Sequence, residues 1–137
     1  MQITNLKTNN MSNTKSYITP NPLQLKYGIT NKNLIKLYRY QQMLSQPITD
    51  AIKAEILEYL QGFIPAWLYI DLGQSTGYIG LTLTPDQFNQ VPHIWDTISK
   101  IDDMLGDILA GDILEFSVNF AAHNDDMVFH INFHYDN

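Results

Sequence analysis

The stretch LEFSVNFAAHNDDMVFHINFHY, residues 114–135, alternates apolar and polar residues on both sides of His123-Asn124-Asp125-Asp126, which predicts a β-hairpin. Pairing residue i with 249 − i sets Leu114, Phe116, Val118, Phe120 and Ala122 against Tyr135, Phe133, Ile131, Phe129 and Met127. A one-residue slip would destroy that apolar face, so the register is expected to be firm. The same pairing puts Glu115 opposite His134, Ser117 opposite Asn132 and Asn119 opposite His130 on the other side. One face is therefore for a core and the other for water.

Upstream of this hairpin, Ile94, Ile98, Ile101, Leu105, Ile108 and Leu109 share one face of a predicted helix that ends near Gly111, with Asp96, Asp103 and Asp107 nearly opposite and Asp102 beside them. Thr84-Pro85-Asp86-Gln87 reads as a capping box opening a short helix that Pro92 breaks. Residues 67–73 and 78–84 form a second alternating pair around a Gln74-Ser75-Thr76-Gly77 loop. Pairing i with 151 − i puts Leu68, Ile70 and Leu72 opposite Leu83, Leu81 and Ile79, and leaves Trp67, Tyr69 and Asp71 on the wet side. Before these strands, residues 33–46 and a second run from Ile48 or Thr49 to about Gly62 predict a helical hairpin interrupted at Pro47. Residues 1–26 are rich in Asn, Thr, Ser, Gln and Lys and read as a mobile polar leader. The expected fold is α+β: an N-terminal helical hairpin followed by a ββαββ unit, its four-stranded antiparallel sheet packed on the acidic amphipathic helix. Residues 27–137 are read as a single domain.

A chain of 137 residues favours one core, burying roughly 68% of the surface its unfolded form would expose. With no cysteine, disulfides, thiolate metal sites and cysteine nucleophiles are excluded. The formal charge of −6 disfavours direct attachment to nucleic acid or anionic membranes. No apolar run reaches the ~20 residues of a membrane span, and the first thirty residues lack a signal-peptide core, so the expected location is the cytoplasm.

Two motifs invite a catalytic reading. Gly73-Gln74-Ser75-Thr76-Gly77 matches the serine-hydrolase pattern, but a nucleophile elbow joins a strand to a helix, whereas Ser75 lies between two strands. His130 and His134 point the same way along a strand yet stand about 13 Å apart, too far to share one metal ion. Were the chain an enzyme, Glu115, His134 and His130 would be its acid–base groups; a surface ion pair explains Glu115 with His134 as well. His123, Asp125 and Asp126 lack EF-hand spacing and suit a turn. Neither a metal site nor a cofactor is expected.

Charge is distributed unevenly. Residues 1–65 hold seven basic residues and three acids (+4), whereas residues 66–137 hold one basic residue and eleven acids (−10). Such a half-chain either solvates itself or steers a basic partner. The expected contact residues are Asp96, Asp102, Asp103 and Asp107, with Trp95, Trp67 and Tyr69 as aromatic anchors. In size, acidity and lack of a catalytic pattern the chain resembles, in type, a bacterial immunity protein that neutralises a toxic, nuclease-like effector. That resemblance implies a non-enzymatic inhibitor acting by occlusion on a basic protein, and it transfers no residues. The alternatives are a small metal-dependent or His/Glu hydrolase, and a self-associating structural subunit, a homodimer included.

Overall fold

The structure, a computed structural model, describes residues 20–29 and 46–136. In chain order the elements are α1 (Pro22–Lys26), α2 (Gln46–Tyr59), β1 (Trp67–Leu72), β2 (Thr76–Leu83), α3 (Pro85–Asn89), α4 (Ile94–Leu109), β3 (Asp112–His123) and β4 (Asp126–Asp136). The four strands form one antiparallel sheet in the order β1-β2-β4-β3, so the α+β class and the ββαββ succession match the sequence reading. The first arm of the expected helical hairpin, residues 33–46, lies outside the described residues except for Gln46. Its second arm corresponds to α2, whose described residues Gln46–Tyr59 include Pro47 within the helix.

One sheet face and one side of the helices make the core. Ile79, Leu81, Leu83, Phe129, Ile131, Phe133 and Tyr135 meet Ile48, Ile52 and Ile56 of α2 and Ile98, Ile101, Leu105, Ile108 and Leu109 of α4, all of them buried. The apolar face of α4 is the one its periodicity predicts. The short helix before it also starts as expected: Thr84 caps α3 in a reciprocal box with Gln87, and Pro85 takes the first helical position, whereas α4 itself follows His93, a left-handed residue that makes no side-chain cap. The left-handed residue that closes α4 is Ala110, with φ 53°, one residue before the expected Gly111.

The first hairpin is correct in face and wrong in register. Residues pair to a sum of 149, as in Leu68 with Leu81 and Ile70 with Ile79, because the Gly73 N–H donates to the Thr76 carbonyl at 2.7 Å. That bond shrinks the expected four-residue loop to a two-residue turn, Gln74-Ser75, and slides the pairing by two. An even slip leaves every side chain on its own face. The second hairpin keeps the expected sum of 249 from Ser117 to His123, around an Asn124-Asp125 turn whose two positive φ values, 50° and 71°, are those of a type I′ turn. Below Ser117 a β-bulge intervenes, with Glu115 at φ 51°, and Leu114 pairs with His134 instead of Tyr135. Ile113 replaces Leu114 against the core, and Leu114 turns out to solvent, 48% exposed.

The last residues of the stretch read as leader are ordered. Asn21 and Gln24 cap α1 reciprocally, their amides then reach the carbonyls of Asp107 and Ile108 at 2.8 and 3.3 Å, and Ile29 enters the core. The end of α4 leaves carbonyls without helical partners, and this polar segment satisfies two of them. No described helix is long and apolar enough to cross a membrane.

Candidate functional site

The seven residues expected to contact a partner fall on three separate surfaces. Asp96, Asp103 and Asp107 line the outer side of α4, away from the sheet, and all are exposed. Lys100 stands on the same stripe, four residues after Asp96 and three before Asp103, and is also exposed, so the stripe is less one-signed than its acids suggest. Asp102 is partly buried, and burial together with the neighbouring Asp103 charge raises its pKa.

Trp95 projects from the first turn of α4 toward β3. It packs edge-on against Phe120 and Phe129 at ring distances of 5.9 and 6.0 Å, and Phe88 stacks on Phe120. Half of the indole remains exposed.

Trp67 and Tyr69 lie on the face of the sheet that the described helices leave open. Cross-strand pairing sets four rows on this face: Trp67-Thr82-Val128-Ala121, Tyr69-Gly80-His130-Asn119, Asp71-Tyr78-Asn132-Ser117, and Thr76-His134-Leu114. Glycine at position 80 clears the floor; a Cβ there would stand 2.3 Å from Cζ3 of Trp67, whose ring lies across the gap. Trp67 stacks on Tyr69 with planes 9° apart, Tyr69 meets Tyr78, and Tyr78 stacks on His130. The Tyr78 hydroxyl and His130 Nδ1 form a 2.5 Å hydrogen bond. Burial, with Tyr69 adding to it, pushes the Tyr78 phenol up. The result is an aromatic track running from the β1 edge to β4, exposed at Trp67 (44%) and Tyr69 (49%). Asp71, Asn132 and His134 flank it, lining with Thr76 and Tyr78 a shallow cleft of about 300 Å³. The face of each of these residues is legible in the sequence; the rows and the track are not, because they depend on the register of β1 with β2 and on the pairing of β2 with β4.

The groups of the catalytic alternative are only partly assembled. Glu115 Oε1 and His134 Nε2 approach to 3.4 Å, with both side chains more than half exposed. His130 is engaged by Tyr78, and Ser75 sits in the tight turn, its carbonyl accepting from the Tyr135 N–H and the neighbouring Gly73 carbonyl from the Tyr135 hydroxyl. A mutually exposed acid–histidine pair with nothing to exclude water has the environment of a surface ion pair. Among the described residues no group of three or more His, Asp or Glu side chains is placed to hold a metal.

One polar cluster was not anticipated. Glu55 on α2 is 7% exposed and accepts from the Tyr27 hydroxyl at 2.7 Å and from Lys26 Nζ at 3.0 Å, while Glu58 takes the same ammonium at 2.8 Å. Burial alone would raise the Glu55 pKa, but hydrogen bonds from Tyr27, Lys26 and Tyr59, with the Lys26 charge, hold it below the usual value. Burial and the Glu55 contact push the Tyr27 phenol up to about 12. The signal for this cluster in the sequence is an acid, Glu55, on the buried stripe of α2, whose partners Lys26 and Tyr27 straddle the end of the stretch read as leader. It fastens α1 to α2. No known protein family, characterised protein or solved structure matches this chain.

Proposed function

We propose that the chain is a non-enzymatic binding protein that captures a basic protein partner on the open face of its sheet, in the manner of a cytoplasmic immunity protein occluding a nuclease-like effector. The observation that carries the reading is the aromatic track from Trp67 to His130, flanked by Asp71 and Glu115, in a half-chain with eleven acids and one basic residue. Arginine and lysine side chains stack on aromatic rings and pair with carboxylates, so this face offers a cationic surface both of its favoured contacts. The described strand residues of this face include no Lys or Arg. The acids of α4 point away from this face, and under this reading they act through the overall field that speeds encounter.

Co-expression tests the proposal. The chain is produced with the product of the gene that neighbours its own, and growth and complex formation are scored. Protection with a stoichiometric complex, both lost on Trp67→Ala with Tyr69→Ala, is the expected result. Protection that survives both changes would move the contact elsewhere, and a neighbour that neither binds nor harms the cell would sink the immunity reading. A hydrolase would instead turn over nucleic acid, ester or peptide substrates and lose that activity on His134→Ala.

A further inference from the structure

Among the described residues no strand pairs with the outer edge of β3, and beyond the bulge at Glu115 that edge is a template for another strand. The two-residue turn makes His123 and Asp126 exchange both backbone hydrogen bonds, and strict alternation then aims the N–H and C=O groups of Ala122, Phe120 and Val118 outward. Proteins usually blunt such edges with Lys, Pro or inward charges. Between the bulge at Glu115 and the turn, residues 116–122 are Phe, Ser, Val, Asn, Phe, Ala and Ala, with no charge and no proline. Phe120 within this window and Trp95 beside it remain exposed, at 45% and 52%.

We propose that β3 pairs with β3 of a second copy of the chain, antiparallel about a two-fold axis at Asn119, joining two four-stranded sheets into one of eight. The occupant follows from self-complementarity. Outward-pointing groups must meet outward-pointing groups and each face must be kept, which restricts the axis to a single residue near the middle of the window. With the axis at Phe120, Glu115 arrives opposite the partner's Asp125, acid against acid. With the axis at Asn119, Glu115 arrives beside the partner's His123 at both ends of the ladder, while Ser117 meets the partner's Ala121 and Val118 meets the partner's Phe120. The small residues allow close approach on the open face. On the helix side, Phe120 and Trp95 of both copies gather around the axis and lose their exposure. The inference does not rest on the basic-partner reading: the track starts at the opposite edge of the sheet, and of the groups named for it only Glu115 lies on β3.

Sedimentation and light scattering of the full chain at micromolar concentration test it, together with a charge swap at the axis. The parent should be a dimer. Asn119→Asp and Asn119→Lys each place like charges directly opposite one another and should raise the dissociation constant by roughly fivefold. An equimolar mixture of the two, one of them tagged, should pair preferentially as a mixed dimer. Thermal melts taken at a dilution where the parent is also monomeric should match, since Asn119 is exposed. A parent that stays monomeric throughout this range would overturn the proposal, leaving the edge bare or covered by another part of the chain. So would a dimer indifferent to both charges, whose interface must lie elsewhere.

Discussion

The two faces of the sheet come from the same strands and the same alternation, yet they do different work. On the inner face Ile79, Leu81, Phe129, Ile131 and Phe133 are fully or almost fully removed from water, whereas on the outer face Trp67 and Tyr69 keep nearly half of their surface exposed. Neighbouring residues on one strand, such as Ile131 and Asn132, are therefore under opposite demands. Aromatic residues on the outer face are stabilised mainly by each other and by the glycine floor, which is how a face held for contact differs from one held for stability.

The largest effect should come from crossing these demands. Ile131→Asp buries a charge without a partner and should cost several kcal/mol, enough to unfold a domain of ordinary stability, while Asn132→Asp one residue on should shift the thermal midpoint little. Equal responses from the two positions would mean that the faces are misassigned.

Next in size is a polar group that belongs inside. Glu55 has its pKa lowered in the folded chain, so the stabilisation it gives is present above the ordinary carboxylate pKa and is lost as pH falls through the lowered folded value. Urea midpoints of the parent should drop across that acidic window, and Glu55→Gln should flatten the drop.

A smaller effect is expected where the outer face touches its floor. Gly80→Ala drives a methyl into the Trp67 ring, and the indole, being exposed, can swing away. Stability should fall by about 1 kcal/mol or less, while the tryptophan emission changes and partner capture weakens. Emission identical to the parent's would show that Trp67 does not rest on Gly80.

Smallest of all should be the acid stripe. Asp96, Asp103 and Asp107 changed together to Asn should alter stability by no more than about 0.5 kcal/mol, because all three are exposed and Lys100 already moderates their field. Association with a basic partner should slow modestly at low salt, with dissociation unchanged. If it slows more than for Trp67→Ala, the contact surface is α4 and the open face is secondary.

Much of this contrast is legible without coordinates. Period-two alternation in residues 114–135 and 67–84 assigns each side chain to a face, and period 3.6 does the same for α4. The capping signal at Thr84 to Gln87 is local chemistry and is realised as read. The candidate contact residues could be named by type, but their division among three surfaces could not, because it depends on which face of the sheet α4 covers and on Trp95 reaching Phe120 and Phe129 across that packing.

Face assignment and the α+β class thus belong to the sequence, since they depend on the parity of the repeat and on its period. Register, bulge and order do not. A two-residue slip of the first hairpin preserves every face, so alternation cannot detect it, and one hydrogen bond from Gly73 to Thr76 selects it. The bulge at Glu115 exchanges Leu114 for Ile113 against the core, a choice between equally apolar residues that only packing can make. Asn21 and Gln24 look like a solvated leader until the carbonyls at the end of α4 are brought beside them. Polar side chains acquire a structural role only when a distant backbone presents unpaired groups, and that is a property of the assembled fold.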